Sequence, residues 1–172
     1  MQELVEKAKK GDKEAFTELI MSLEKDLYKI ARTRLQSEDD ISDVFQETVI
    51  NAFKSIKKLK NTEYFKTWLI KILINNCNSL YIKRKKRKES FFEDIQEDNC
   101  LLDNNIETIN GELNFDAMMK TLNYDERIAL TLYYAEGYTN KEISEILKTN
   151  ENTIKARISR AKIKIKKLLK ED

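Results

Sequence analysis

The chain of 172 residues contains no proline and three glycines. Turn-rich all-β folds need both often: proline presets one backbone angle, and glycine supplies the positive φ of tight turns. A chain nearly free of both also has few residues that break a helix. The expectation is an all-α protein. Charged residues make up 36% of the chain and hydrophobic residues 41%, which suits helices with one wet face and small packed cores.

The apolar spacing divides the chain. Residues 2–10 read as a short helix ending near Gly11. Asp12 can cap the next helix, in which Ala15, Phe16, Leu19, Ile20, Leu23, Leu27, Ile30, Ala31 and Leu35 recur at helical spacing. After a polar break, residues 40–56 form a third helix with Ile41, Val44, Phe45, Val49, Ala52, Phe53 and Ile56 as its buried stripe. Asp43, Gln46, Glu47, Ile50 and Asn51 fall mainly on another side. Residues 57–65 read as a loop. A long helix follows to residue 88, with Trp68, Leu69, Ile72, Leu73, Cys77 and Leu80 facing inward.

That helix ends in six unbroken basic residues, Lys83 to Lys88. The sign flips at Glu89, and no Lys or Arg appears again until Lys120. The net charge of +2 hides this segregation. Residues 89–112 show no sustained period and read as an acidic, flexible linker between a first domain, 1–88, and a second, 113–172. A tether of this length reaches at most about 75 Å. The acids either keep the tether solvated or have a further role against a positive partner; both readings stand.

In the second domain Gly137 ends one helix, and Thr139 with Glu142 forms a capping-box signature for the next. Asn150 caps a last helix whose buried face is Ile154, Ile158, Ala161, Ile165 and Leu168. Short helix, tight turn and second helix give the spacing of a helix-turn-helix. Asn152, Lys155, Ala156, Ser159 and Arg160 then face outward, and Arg157, Lys162, Lys164, Lys166 and Lys167 add positive surface for phosphates. A second constellation interleaves Tyr64, Phe65, Trp68 and Tyr81 with lysines and amides, as single-strand binders do. The helical register with Leu69 and Ile72 favours Trp68 as a core residue over a stacking one. The basic run has no such packing role, because those side chains cannot be buried unpaired.

Several classes are disfavoured. There is no histidine, no carboxylate cluster at metal-ligand spacing and no glycine-rich phosphate loop. Neither an enzyme, nor a cofactor, nor a metal is expected. Cys77 and Cys100 form no metal motif and suit a reducing compartment. The N-terminal stretch lacks a signal-peptide core, and "WLIKILI" is too short to span a bilayer. The expectation is a soluble cytoplasmic protein without membrane insertion.

Taken together, these segments resemble the sigma-70 family of RNA polymerase sigma factors, in its extracytoplasmic-function subgroup. "DISDVFQETVINAF" is similar to the family's polymerase-binding helix, and "FKTWLIKILINNCNSLYIKRKKR" to the segment that melts and reads the minus-ten element. "YDERIALTLYYAEGYTNKEISEILKTNENTIKARISRAKIKIKKLL" is similar to the domain that reads the minus-thirty-five element. The resemblance implies core RNA polymerase and promoter DNA as partners. It also implies that an anti-sigma factor can hold such a protein inactive, although no residue identifies one.

Carried over, it implies polymerase contacts at Asp40, Asp43, Gln46, Glu47, Ile50 and Asn51. Minus-ten contacts fall at Tyr64, Lys66, Trp68, Lys71, Asn75, Lys83, Arg84, Lys85 and Arg87, with Asn75 at a flipped base. Minus-thirty-five contacts fall at Asn152, Thr153, Lys155, Ala156, Arg157, Ser159 and Arg160. Two departures stand out: Ser79 replaces a frequent Asp, and Lys148 replaces a frequent Gly in the helix-turn-helix turn. The alternative is a helix-turn-helix regulator that never joins polymerase. Such a regulator has no need of the acid-and-amide face at residues 40–53.

Overall fold

Local capping sets where the helices begin. The Asp12 carboxylate accepts the backbone N–H groups of Glu14 and Ala15, each at 3.0 Å, and so opens α2. In the computed structural model, which describes residues 1–89 and 115–169, the elements are helical throughout. The first four helices are α1 (Gln2–Lys9), α2 (Lys13–Arg32), α3 (Glu38–Ser55) and α4 (Phe65–Glu89), with short 3-10 turns at Ile56–Lys58 and Thr62–Tyr64. The last four are α5 (Phe115–Lys120), α6 (Tyr124–Tyr134), α7 (Asn140–Leu147) and α8 (Glu151–Leu168). The chain divides into two compact units, Met1–Lys86 and Arg87–Asp172. The linker read at 89–112 lies, from residue 90 onward, outside the described residues.

In the first unit α1 and α3 pack against α2, and α1 also meets both 3-10 turns. Gly11 ends α1 at φ +102°, in the left-handed region that favours glycine. The buried residues of α2 are the expected stripe from Ala15 to Ala31. The α3 stripe differs from expectation. Ile41, Val44 and Ala52 are buried, but so are Asp40 and Thr48. Phe45 and Val49 are half-buried. Phe53 is 40% exposed and meets Phe16 edge to face, with ring centroids 5.1 Å apart.

The inward face of α4 is also turned from the expected one. Phe65, Leu69, Ile70, Leu73, Ile74 and Cys77 are buried, whereas Trp68, Ile72 and Leu80 are only half-buried. Residues 65–74 are apolar on two overlapping faces. The face that buries the whole Phe65 ring removes more apolar surface from water.

In the second unit α6 and α7 both pack on α8. Leu122, Ile128, Ala129, Leu132, Ile143, Ile146, Ile154, Ile158 and Ala161 form the core. Ile165 and Leu168, expected in the same stripe, are half-buried, because α8 extends past the helices that cover it. The Thr139–Glu142 capping box is present. The backbone N–H and hydroxyl of Thr139 donate to Glu142 and hold its carboxyl below the usual range. Gly137 turns the chain at φ +74°.

The turn from α7 to α8 is made by Lys148, at φ 52° and ψ 49°. Among the described residues it is the only non-glycine with positive φ. A Cβ in this conformation costs about 1–2 kcal/mol, which glycine avoids. Glycine gives back about half of that through the greater freedom of its unfolded chain. Lys148→Gly is therefore expected to stabilise the second unit by about 1 kcal/mol. Calorimetry should place its melting midpoint about 4–8 °C higher.

Candidate nucleic-acid and polymerase interfaces

On α3, Asp43, Gln46 and Glu47 are exposed on one side of the helix. Ile50 stands beside them, 51% exposed, and Phe53 continues the apolar edge. Asn51 is half-buried at the border of this face, and its Nδ2 donates to Asn76 Oδ1 over a long 3.5 Å. Acids and amides around an exposed apolar anchor make a surface suited to a basic, partly apolar partner.

Asp40 is not part of that exposed face. Residues 40, 44, 48 and 52 recur at four-residue spacing, so Asp40 continues the inward stripe of Val44, Thr48 and Ala52. Its buried carboxylate pairs with the Arg84 guanidinium on α4. A buried acid needs such a partner. A further tie joins the same helices, since Asn76 Nδ2 donates to Thr48 Oγ1 at 3.0 Å.

On α4, Tyr64, Trp68, Lys71 and Asn75 follow at four, three and four residues, so they share one side of the helix. Tyr64 just precedes the helix and is 59% exposed, Trp68 and Lys71 are half-buried, and Asn75 is exposed. Phe65, one position round, is core. Lys66 is engaged internally: its Nζ lies 2.8 Å from Asp26 Oδ2 and ties α4 to α2. Tyr81, read as a stacking surface, is instead covered by Arg34, whose guanidinium lies 3.6 Å from the ring centroid. Such a stack holds the guanidinium against the ring face by cation–π attraction.

Beyond Tyr81 the helix continues into the basic run. Lys83, Arg84, Lys85 and Lys86 are exposed. Arg87 lies within the helix, in a stretch whose side chains are outside the described residues. Burial pushes the Cys77 thiol up to about 12, so it stays protonated and unreactive at neutral pH. Cys100 lies outside the described residues.

On α8, Asn150 accepts the Asn152 N–H at 2.7 Å and fixes the start of the helix. Asn152, Lys155, Ala156, Ser159 and Arg160 are exposed, and Thr153 is half-buried. Lys155 pairs with Glu151 one turn earlier, at 2.8 Å. Arg157 departs from the outward set. It is only 19% exposed and reaches back to Asp125 on α6, at 2.7 Å. Its position next to Ile158 turns it toward the helix bundle.

Sequence reasoning also missed Glu126. This acid is almost wholly buried, completes a capping box with Asn123, and faces Arg160 and Lys164. The N-x-x-E spacing at 123–126 was the signal that could have located it. Among the described residues no group of His, Cys, Asp and Glu could hold a metal ion, and no helix is long and apolar enough to cross a membrane.

A unit with an exposed acid-and-amide helix beside an aromatic and basic one, and a unit with a helix-turn-helix, define a DNA-binding transcription factor with a separate protein-docking surface. Residues 19–88 match the family described as Sigma-70 region 2, and residues 112–165 match Sigma-70, region 4. Among curated proteins, the ECF RNA polymerase sigma-E factor of Haemophilus influenzae is 30% identical, over 94% of this chain and 90% of its own length. The RNA polymerase sigma factor SigV of Bacillus subtilis is 29% identical, over 96% of this chain and 98% of its own. Among solved structures, the sigma factor RpoE in complex with the anti-sigma factor NepR from Bartonella quintana is similar, with a TM-score of 0.71 and 25% identity. That match covers 91% of this chain and 98% of the other.

The chain belongs to the sigma-70 family, in its extracytoplasmic-function type. Its function is that of an RNA polymerase sigma factor, a transcription initiation factor. The region 2 match over residues 19–88 sets aside the stand-alone regulator.

Proposed function

We propose that the protein docks on core RNA polymerase through the outer side of α3, with Asp43, Gln46 and Glu47 as polar contacts and Ile50 as the apolar anchor. Asn51 borders that surface. Asp40 acts from beneath it, through its pair with Arg84. The observation that carries this reading is the exposure of Asp43, Gln46 and Glu47 around an apolar residue, Ile50, that is itself 51% exposed.

On the neighbouring helix, Tyr64, Trp68, Lys71 and Asn75 meet the unpaired minus-ten strand. Asn75 reads a flipped base with an amide that both donates and accepts. Lys83, Lys85 and Arg87 hold the backbone, Arg84 neutralises the buried Asp40, and Lys66 acts by fixing the position of α4. In the second unit, Asn152, Thr153, Lys155, Ala156, Ser159 and Arg160 face the minus-thirty-five duplex, and Arg157 braces their helix against α6. The protein works in the cytoplasm and has no catalytic activity of its own. An anti-sigma factor is its regulator, a reading supported by the likeness to the Bartonella quintana factor solved with one.

In vitro transcription over a genomic promoter library tests this. Adding the protein to core enzyme should produce starts at a defined set of promoters. If core enzyme neither binds the protein nor changes its start sites, the reading is wrong.

The basic run gives a second measurement. Changing Lys83, Lys85 and Lys86 to Gln should weaken promoter opening and flatten its dependence on salt. The log–log slope should fall by about 0.7 for each single-strand phosphate that is no longer neutralised, or about 2 for all three. An unchanged slope would mean that these residues do not touch DNA.

A further inference from the structure

The first turn of α6 carries two consecutive acids, and both face α8. Arg157 Nη2 donates to Asp125 Oδ2 at 2.7 Å. Lys164 Nζ donates to Glu126 Oε2 at 2.7 Å, and Arg160 Nε lies 3.9 Å from Glu126 Oε1. Positions 157, 160 and 164 are spaced three and four apart, so one stripe of α8 rests along these two acids.

Glu126 is the fixed point of this arrangement. It is 1% exposed. Its Oε2 accepts the Asn123 N–H at 3.1 Å, and its own N–H donates to Asn123 Oδ1 at 2.9 Å. The carboxylate therefore closes the start of α6 and cannot swing away without opening that helix end.

The three cations are held differently. Arg157 and Lys164 are hydrogen-bonded to their acids, so much of their charge is compensated inside the unit. Arg160 is 60% exposed. Its 3.9 Å separation is too long for a hydrogen bond, so the attraction narrows the guanidinium's position without using its donors. A guanidinium held this way can present its fork to a base edge. The same buried negative charge also lowers the positive potential of the helix face, which weakens binding to any phosphate backbone.

We propose that Glu126 is a positioning residue for promoter recognition, which aims Arg160 at the upstream element and restrains indiscriminate DNA binding. This deepens, and rests on, the reading of α8 as the helix that meets the minus-thirty-five duplex. Discrimination between DNA sequences is a difference of affinities. Glu126 raises that difference by ordering the Arg160 contact to the right duplex, while its charge lowers the background affinity for every duplex alike.

The full-length protein and two duplexes test this by fluorescence anisotropy. One duplex is selected from a random library by the wild-type protein, and the other is its scrambled sequence. Glu126→Gln keeps the capping box, because Gln at that position accepts as Glu does. It removes the charge and leaves one acceptor oxygen, enough for the Asn123 N–H. The ratio of affinities for selected over scrambled duplex should fall about tenfold, within the range that one bidentate side chain–base pair contributes.

Binding to the scrambled duplex should tighten at the same time, and its log–log salt slope should steepen by about 0.9, as for one more phosphate neutralised. In an Arg160→Ala background, Glu126→Gln should leave the ratio unchanged. An unchanged ratio in the single variant would overturn the proposal. So would a parallel loss of both affinities with a lower melting temperature, which marks a purely structural role. If the wild-type protein selects no duplex, the reading of α8 fails, and this inference fails with it.

Discussion

Reversing the charge at Asp43 while truncating Gln46, as Asp43→Lys with Gln46→Ala, is expected to cut capture of core RNA polymerase by about a hundredfold or more. Both side chains are exposed on α3, beside the half-exposed Ile50. Neither contributes to the core, so the thermal melt of the protein should not change. A like charge placed against a basic partner costs several kcal/mol, and each 1.4 kcal/mol is a factor of ten in affinity. Biolayer interferometry on immobilised core enzyme reads the effect directly. A loss smaller than about threefold would place the docking surface elsewhere. Asp40→Asn separates the two roles on this helix: its carboxylate is buried against Arg84, so it should lower stability before it touches polymerase affinity.

Phe65→Ala should bring the largest loss of stability. Phe65 begins α4, is 0% exposed, and sets which face of that helix turns inward. Removing a buried phenyl ring costs about 3–5 kcal/mol, because the lost transfer energy adds to the cavity left behind. A unit of this size has about 4–13 kcal/mol of stability in total. Denaturant unfolding should show the first transition moved to markedly lower concentration. The Lys66–Asp26 pair and the Trp68 ring sit on either side of the same turn. Minus-ten binding should therefore fall with folding, and a variant that kept full stability would contradict the burial of this ring.

The elements that were legible from the sequence are those decided locally. The caps at Asp12, Thr139 and Asn150 act within three residues, so neighbouring letters suffice to place them. The outward set on α8 followed from a single clear apolar stripe, and Asn152, Lys155, Ala156, Ser159 and Arg160 are exposed as expected. The single side chains that were misplaced involve partners distant in sequence. Asp40 reads as a surface acid until Arg84, 44 positions later, is brought against it. Arg157 reads as a DNA contact until Asp125 is placed beside it. Tyr81 reads as a base-stacking ring until Arg34 covers it. The turned face of α4 has a different cause. Its apolar residues fill two overlapping faces, and periodicity has no means of ranking them.

One small bridge sets a dimension of the first unit. Asn76 on α4 donates to Thr48 at 3.0 Å and accepts from Asn51 over 3.5 Å, both on α3. Neither helix can roll against the other without breaking these bonds. Asn51 borders the edge read as facing the polymerase, and Asn75, read as meeting the flipped base, is the residue just before Asn76. The unit then works as a ruler. On that reading the offset between enzyme anchor and captured base is measured by protein, and the DNA is expected to melt to fit it.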